Sequence, residues 1–353
     1  MKQLAKRIPW WLVVLVLAAI LIALGIAQGD FQDTLRKAAL VCYECIGIGQ
    51  PMGPIARFKR SIIQLLAVLL YNLNFEGFAT GSIYQGDTKG VCVPGLNCYS
   101  CPGAIGACPI GSLQAALVAS DQRLPLYIIG TILAFGALLG RTVCGWLCPF
   151  GFIQDLLDKV PLPKIRKGAW SRAFSWGKYV ILFGLVIVAP IVLLNATGIG
   201  TPAFCAYLCP AGTLEAGIPL VAMNEDLRFM LGALFDWKVG VLVALLAVSL
   251  FVYRPFCRFF CPLGALYSFF NRFALLRYRV DEEACTNCGA CLDVCKVDIR
   301  RVSDRECIQC GACVTSCKTN AIRFSLRDML ANNLHIDGSR RDDAPSEREE
   351  QRS

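Results

Sequence analysis

Two runs of sequence decide the fold of the last part of this chain: CTNCGACLDVC at residues 285–295 and CIQCGACVTSC at residues 307–317. Both runs have the spacing C-x2-C-x2-C-x3-C. Such short spacings allow three thiolates of one loop to reach the same inorganic cluster, while the backbone N–H groups of the loop point at the sulfurs. The repeat therefore predicts two metal centres in one small module.

In two-cluster ferredoxins the fourth cysteine of each run binds the other cluster. We therefore assign one [4Fe-4S] cluster to Cys285, Cys288, Cys291 and Cys317 and a second to Cys307, Cys310, Cys313 and Cys295. Zinc knuckles are the alternative, but zinc sites use two pairs of ligands, which fits this spacing poorly. Proline usually follows the fourth cysteine, and this chain has Lys296 and Lys318 there. We expect these lysines to raise the cluster potentials or to bind an acidic partner.

The composition of the 353 residues indicates a membrane protein with cysteine chemistry. Hydrophobic residues make up 56%, charged residues only 17%, and the mean hydropathy is +0.53, so part of the chain is expected in lipid. There are 20 cysteines and one histidine, His335. This ratio excludes haem held by two histidines, histidine-rich zinc sites and Ser-His or Cys-His triads. Twenty thiols would supply five clusters of four ligands each.

Apolar runs predict about five or six membrane spans, the ones with clear limits being Pro9–Ala27, Ser61–Thr80, Leu124–Gly140, Tyr179–Ala196 and Trp237–Tyr253. An irregular return through about Ala38–Ala56 would be the remaining crossing. Lysines and arginines concentrate between Cys148 and Tyr179 and after Tyr253, which predicts that both stretches face the cytoplasm. The expected protein is multi-pass in the cell (inner) membrane, with its C-terminal module cytoplasmic.

The expected fold is mostly α, with polytopic membrane helices and a C-terminal α+β ferredoxin module that holds two clusters. We divide the chain into an N-terminal membrane anchor with a C-x2-C motif (1–54), a polytopic domain (55–277), the ferredoxin module (278–326) and a disordered polar tail (327–353).

A Cys-Pro-x-Gly repeat is dispersed through the polytopic domain, beginning at Cys108, Cys148, Cys209 and Cys261. Proline is favoured at the first position of a helix, so each of these cysteines is predicted at a helix N-terminus, where free N–H groups favour an anionic cluster. Three copies have another cysteine four residues earlier, at Cys144, Cys205 and Cys257. One such motif supplies two ligands, and two motifs complete a cluster.

Topology predicts that Cys144, Cys148, Cys257 and Cys261 share one cluster on the cytoplasmic side. Eight further cysteines are expected toward the outer side and are enough for two more clusters: Cys42, Cys45, Cys92, Cys98, Cys101, Cys108, Cys205 and Cys209. Their grouping stays open. Disulfides or a plain structural thiol remain alternatives, above all for Cys92, and Cys42 with Cys45 could instead be a redox dithiol.

The stretch Ile55–Phe324 resembles the NapH/NosR-type polyferredoxin-like membrane proteins, through GRTVCGWLCP at 140–149, RPFCRFFCP at 254–262 and the tandem cysteine runs. The resemblance implies membrane helices, a cytoplasmic two-cluster module, and electron exchange with quinols and partner redox proteins. The residues Gly29–Gly49 are similar to small single-span C-x2-C proteins.

Our first hypothesis is an electron-transfer protein that passes electrons from a cytoplasmic, ferredoxin-like donor to an unknown membrane or extracytoplasmic acceptor, with a quinone as a candidate. No catalytic residues are identified, so the chain is an electron carrier or redox subunit rather than a self-contained enzyme, and nothing indicates nucleic-acid binding. The alternatives are a transmembrane thiol-disulfide relay, in which only the ferredoxin clusters bind iron, and a membrane anchor of a larger redox complex. Glu44 and Glu215 are interpreted as solvated loop residues in preference to proton carriers.

Overall fold

The computed structural model describes residues 15–20, 54–119, 125–165, 168–198 and 200–324. Several predicted features lie outside these residues: Cys42, Glu44 and Cys45, most of the span Pro9–Ala27, the return through about Ala38–Ala56 as far as residue 53, and the polar tail. The helices before the ferredoxin module are Pro54–Tyr71, Glu76–Thr80, Pro109–Leu117, Leu126–Leu139, Thr142–Trp146, Pro149–Leu157, Ala169–Phe174, Gly177–Ile181, Ala189–Thr197, Ala203–Tyr207, Pro210–Gly212, Ile218–Met223, Glu225–Phe229, Ala233–Phe251 and Pro262–Phe270. A 3-10 turn lies at Asp87–Gly90, and π-helical turns lie at Leu182–Val188, Thr213–Gly217 and Phe256–Phe260.

Among the described residues, two helices are long and apolar enough to cross a membrane, Trp170–Thr197 and Ala233–Phe251. They coincide with the predicted spans Tyr179–Ala196 and Trp237–Tyr253. The other two predicted spans in this part of the chain are shorter apolar helices, Arg60–Tyr71 and Leu126–Leu139. The prediction of five or six spans is therefore not confirmed, because each of these helices is shorter than the roughly 20 residues that a span needs. Asn72 and Asn74 follow the first helix, and Gly140 and Arg141 follow the second.

The ferredoxin module is a two-stranded antiparallel sheet with two short helices. The strands are Tyr278–Val280 and Ile322–Phe324, and Tyr278 pairs with Phe324. The helices, Ala290–Asp293 and Ala312–Ser316, each follow a glycine with positive φ, Gly289 at 76° and Gly311 at 80°. Asn287 and Gln309 also have positive φ, at 53° and 52°. The two halves thus bend their backbones at equivalent positions, as the repeated spacing predicts.

Each Cys-Pro motif begins a helix, which confirms the prediction from the repeat. Cys108, Cys148, Cys209 and Cys261 are the N-terminal capping residues, with extended backbones, and proline follows at the first helical position. Proline needs no N–H donor there, since that group has no partner within the helix. The motif therefore fixes the cysteine sulfur beside the free N–H groups of the first turn.

The ferredoxin module packs closely against the helix Thr142–Trp146. A Cβ atom on Gly145 would overlap the carbonyl oxygen of Ile308, and Trp146 Nε1 donates to the Gln309 carbonyl at 2.8 Å. Asn271 Nδ2 donates to the carbonyl of Cys307 at 2.9 Å. The loop that carries Cys307 is therefore held by backbone and side-chain contacts to the polytopic part.

Lys296 takes part in the same packing. Its ammonium group forms an ion pair with Asp158 and lies 5.1 Å from the centre of the Tyr253 ring. The expectation that this lysine raises a cluster potential or binds an acidic partner stays a prediction, although a carboxylate of the chain itself already pairs with it.

Substitution of Gly145 tests this contact. Gly145→Ala should destabilise the protein by about 1–3 kcal/mol, because the added methyl group meets a backbone carbonyl that cannot rotate away. Gly240→Ala is the matched control, since no atom lies within 4 Å of a Cβ there and alanine favours a helix. Thermal unfolding in detergent and protease release of the C-terminal module measure the difference. Equal stability of the two variants would contradict the close packing.

Candidate metal centres

The structure brings Cys144, Cys148, Cys257 and Cys261 together, and we call this group the Cys144 site. All four residues are buried. The Cys148 thiol interacts electrostatically with Cys257 and Cys144, and the Cys261 thiol interacts with all three others. Sulfurs from two distant Cys-x3-Cys-Pro motifs thus face one another, as the predicted topology requires.

Hydrogen-bond donors surround the sulfurs of the Cys144 site. The N–H of Gly264 donates to Cys261 Sγ at 3.3 Å, and those of Gly151 and Leu96 donate to Cys148 Sγ. Gln154 Nε2 donates to Cys257 Sγ at 3.0 Å. Donors aimed at sulfur stabilise thiolates and an anionic cluster.

Two arginines connect the motifs reciprocally, a role that we did not predict from the sequence. Arg141, three residues before Cys144, donates to the carbonyl of Cys257 at 3.4 Å, whereas Arg254, three residues before Cys257, donates to the carbonyl of Cys144. Both are completely buried. The signal was the shared spacing R-x2-C-x3-C-P-x-G at 141–151 and 254–264.

The glycines of these motifs make room for the arginines. A Cβ on Gly151 would lie 3.2 Å from Arg254 Nη1, and a Cβ on Gly264 would lie 3.7 Å from Arg141 Nη2. The space at Gly151 therefore admits the Arg254 guanidinium group, whereas Gly264 lies in ordinary contact with Arg141 and is limited by the Cys257 carbonyl at 3.3 Å.

Each arginine belongs to a buried network with more positive than negative groups. Asp155 accepts from Arg254 at 2.5 Å and from Arg60. Although burial favours the neutral acid, Arg254 and Arg60 hold the pKa of Asp155 well below its ordinary value.

The second network pairs Glu306 with Lys178 at 2.5 Å and with Arg141 at 3.1 Å. Burial again opposes ionisation, and the two cations lower the pKa of Glu306. Each network contains two cations and one carboxylate, so the surplus positive charge beside the Cys144 site suits an anionic cluster.

A second group in the polytopic part consists of Cys98, Cys108, Cys205 and Cys209, which line a cavity of about 320 Å³; we call it the Cys98 site. Cys209 interacts electrostatically with the other three thiols, and burial raises the pKa of Cys98 to about 12. A Cβ on Gly212 would lie 3.7 Å from Cys98 Sγ and 3.9 Å from Cys209 Sγ. The sequence left this grouping open, because only tertiary contacts bring Cys98 and Cys108 to the motif at 205–209.

Cys92 and Cys101 do not line the cavity of the Cys98 site. Each nevertheless interacts electrostatically with one thiol of that site, Cys92 with Cys108 and Cys101 with Cys98. The Cys101 thiol donates to Asn72 Oδ1 at 3.5 Å, whereas Cys92 is near Ser112 and Thr131, and burial raises its pKa to about 11. These two thiols therefore have different neighbours and form no common site within the described part of the chain.

A short loop joins the Cys98 and Cys144 sites. The N–H of Leu96 donates to Cys148 Sγ, the N–H of the next residue, Asn97, donates to Cys108 Sγ, and Cys98 follows. Tyr267, fully buried, donates to the Pro94 carbonyl at 2.9 Å. Consecutive peptide groups thus contact one sulfur of each site.

Glu215 lies beside this loop, and its interpretation as a solvated residue is wrong. Its Oε2 accepts from the Cys98 N–H at 2.7 Å, and its Oε1 is buried without a hydrogen-bond partner among the described residues. Burial raises the pKa of Glu215 to about 8. No local sequence pattern predicts this burial, because the apolar surroundings come from other segments.

In the ferredoxin module, two groups of four cysteines combine both runs. Cys285, Cys288, Cys291 and Cys317 line an open cavity of about 970 Å³; we call this the Cys285 site. The Cys313 thiol interacts electrostatically with Cys307, Cys310 and Cys295, and we call these four residues the Cys295 site. Each run thus contributes three cysteines to one group and one to the other, the arrangement expected for crossed ligation.

These groups are suited to cubanes rather than to single ions. Among the described residues, no three His, Cys, Asp or Glu side chains converge closely enough to share one metal ion. In a cubane each iron takes one thiolate, so the four sulfurs stand apart around the cluster. Burial raises the pKa of Cys148, Cys257 and Cys261, and positive charge near the sulfurs favours their thiolate form.

Comparison with known proteins agrees with this chemistry. A family model described as a 4Fe-4S binding domain matches residues 124–171, 180–218 and 234–279, and a second 4Fe-4S binding domain model matches residues 278–301 and 300–323. No solved structure matches the chain significantly.

Three relatives illustrate the match. An uncharacterized protein of Methanocaldococcus jannaschii is 32% identical over 49% of this chain and 57% of its own length. The methylamine utilization ferredoxin-type protein MauN of Paracoccus denitrificans is 30% identical over 52% of this chain and 58% of its own length. The regulatory protein NosR of Stutzerimonas stutzeri is 28% identical over 49% of this chain, which is 22% of NosR.

The matched segment thus covers less than two thirds of each of these relatives. The residues that the two family models match include the Cys-x3-Cys-Pro motifs at 144–149, 205–210 and 257–262 and the paired cysteine runs at 285–317. Both models describe the same cofactor. We conclude that this chain carries the 4Fe-4S binding domains of both family models and binds [4Fe-4S] clusters, and that its resemblance to NapH/NosR-type proteins is confirmed by relatives such as MauN and NosR.

Proposed function

We propose that this chain conducts electrons between the cytoplasm and a membrane or extracytoplasmic acceptor, through four cluster sites in a row. The order is the Cys285 site, the Cys295 site, the Cys144 site and the Cys98 site. When bound, a [4Fe-4S] cluster takes up and releases one electron without making or breaking a substrate bond. The residues of the chain hold the clusters near one another, compensate their charge and exclude water.

Continuity of contacts between neighbouring sites supports this order. The two ferredoxin sites exchange one cysteine each, and Cys313 interacts with Cys291 of the other group. The Cys295 and Cys144 sites meet where Gly145 packs on Ile308. The loop from Leu96 to Cys98 then joins the Cys144 and Cys98 sites. This last contact carries the proposal, because it extends the path beyond the ferredoxin module.

The proposed location is the cell (inner) membrane, with the ferredoxin module in the cytoplasm. The two long apolar helices support a membrane location, and the excess of lysine and arginine around the module supports its orientation. A cytoplasmic ferredoxin-like donor would then reduce the Cys285 site. A quinone or a further redox protein would accept electrons beyond the Cys98 site.

We assign sixteen cysteines as ligands, four in each site. The fifth cluster expected from the total of 20 cysteines would have to combine Cys42 and Cys45, which lie outside the described residues, with Cys92 and Cys101, which have different neighbours. We therefore propose four clusters for the described residues.

Iron content tests the assignment. The four sites of the described residues predict at least about 16 iron atoms per chain in anaerobically purified protein, and Cys257→Ser and Cys205→Ser should each lose about four. Cys101→Ser is the matched control, because it removes a buried thiol of the same loop as Cys98 and should retain all the iron. Iron and acid-labile sulfide are measured together. About eight iron atoms in all variants would instead favour a thiol-disulfide relay, with clusters only in the ferredoxin module.

The buried charges predict a change in redox potential. Glu306→Gln removes the one carboxylate that offsets Arg141 and Lys178, so a neighbouring cluster should be easier to reduce. We expect its midpoint potential to rise by about 59 mV, a tenfold change in the one-electron equilibrium. EPR-monitored redox titration measures this shift.

Asp298→Asn is the control for that titration, since Asp298 pairs with the half-exposed Arg172 at 3.1 Å and the pair is screened by solvent. A potential in the Glu306 variant that is unchanged or lower would show that the network does not act on the clusters.

A further inference from the structure

The Cys285 site is open to solvent, in contrast to the Cys144 site. Cys288 is exposed and Cys285, Cys291 and Cys317 are partly exposed, whereas all four residues of the Cys144 site are buried. Cys98 and Cys205 of the Cys98 site are partly exposed, but among the cysteines of the four sites Cys288 is the exposed one. Electron transfer between proteins requires close approach of the two redox groups, and the Cys285 site allows that approach.

Arginines dominate the rim of the opening. The lining includes Arg272, Arg277, Arg279, Arg300 and Arg301, and one carboxylate, Glu282. Four of the arginines are exposed and Arg277 is half-buried. We call these five residues the arginine rim.

The charge of the arginine rim is not neutralised within the described part of the chain. None of its guanidinium groups forms an ion pair there, although Arg323 nearby pairs with Asp281 at 3.8 Å. Arg277 Nε is buried without a hydrogen-bond partner. Unpaired positive charge concentrated around a concave opening attracts a negatively charged surface and speeds association with it.

We propose that the arginine rim is the docking site of an acidic one-electron carrier protein. This inference rests on the proposed function and adds the partner's surface chemistry and its place of contact. Carboxylates of the carrier pair with the arginines, which brings its redox group to the Cys285 site. The reduced carrier loses one electron and the chain gains one, and no covalent bond or proton changes place.

The position of the charge favours a protein over a lipid surface. An anionic membrane pressed against the rim would cover the opening of the Cys285 site with an electrical insulator. An acidic protein that carries a redox group would use the same charge to bring that group to the site.

Stopped-flow reduction of the full chain tests the proposal, with nanodiscs of phosphatidylcholine to remove lipid charge. A reduced plant-type [2Fe-2S] ferredoxin is the acidic probe, and photoreduced deazaflavin is the small reductant. The triple variant Arg279→Gln, Arg300→Gln and Arg301→Gln should react with ferredoxin about tenfold more slowly at low salt, with a weaker salt dependence. Its rate with deazaflavin, its iron content and its midpoint potentials should stay unchanged.

Two controls make the result specific. Arg228→Gln should keep the normal ferredoxin rate, because this exposed arginine donates only to the nearby carbonyls of Val221 and Ala222. Replacement of the three rim arginines by lysine should restore most of the rate, since charge attraction does not need guanidinium geometry.

Three outcomes would overturn the docking site. One is an equal loss of rate with deazaflavin or a shifted potential, which would make the arginines part of cluster tuning. Another is an unchanged ferredoxin rate in the triple variant. The third is a wild-type rate that drops to the variant's rate when phosphatidylserine is added, which would show that lipid occupies the rim. Failure of the proposed electron path can be distinguished from failure of the docking site. In that case deazaflavin would reduce only two clusters in the wild-type chain.

Discussion

The rest of the structure depends on the exchange of two buried arginines between the motifs at 141–151 and 254–264. Each of these arginines forms a buried ion pair, Arg141 with Glu306 and Arg254 with Asp155, and removing a partner from a buried ion pair costs about 3–5 kcal/mol. The remaining N–H groups need further acceptors, and each arginine finds one in the backbone of the other motif, although Arg141 Nε has no partner among the described residues. The two motifs are therefore held facing each other before any cluster contributes.

The four cysteines that begin helices share the same local geometry, which stabilises a thiolate. Proline sets the first turn, the glycine two residues later gives its N–H to the sulfur, and the absent side chain leaves space for a neighbouring group. The motif is thus a compact anion site at a helix N-terminus. Repetition of the motif produces several such sites, and the arginine networks add positive charge at one of them.

Ion pairs attach the ferredoxin module directly to the polytopic part. Glu306 precedes a cysteine of the module and pairs with Arg141 and Lys178 of the polytopic part, while Lys296 follows a cysteine and pairs with Asp158. Glu306 is next to Cys307 and Lys296 is next to Cys295, so both ion pairs adjoin cysteines of the Cys295 site. These pairs fix the distance of that site from the Cys144 site. Electron transfer depends steeply on distance, so this attachment matters more to function than to fold.

The sequence by itself determined the local parts: the crossed runs of the ferredoxin module, the helix starts after each Cys-Pro pair and the two long apolar helices. These follow from neighbouring residues, whose spacing restricts the backbone. Only the tertiary structure decided that Cys98 and Cys108 join Cys205 and Cys209, that Cys101 bonds to Asn72, and that Glu215 is buried. Burial and grouping depend on segments far apart in the chain, and a sequence pattern carries no information about which distant surface will cover it.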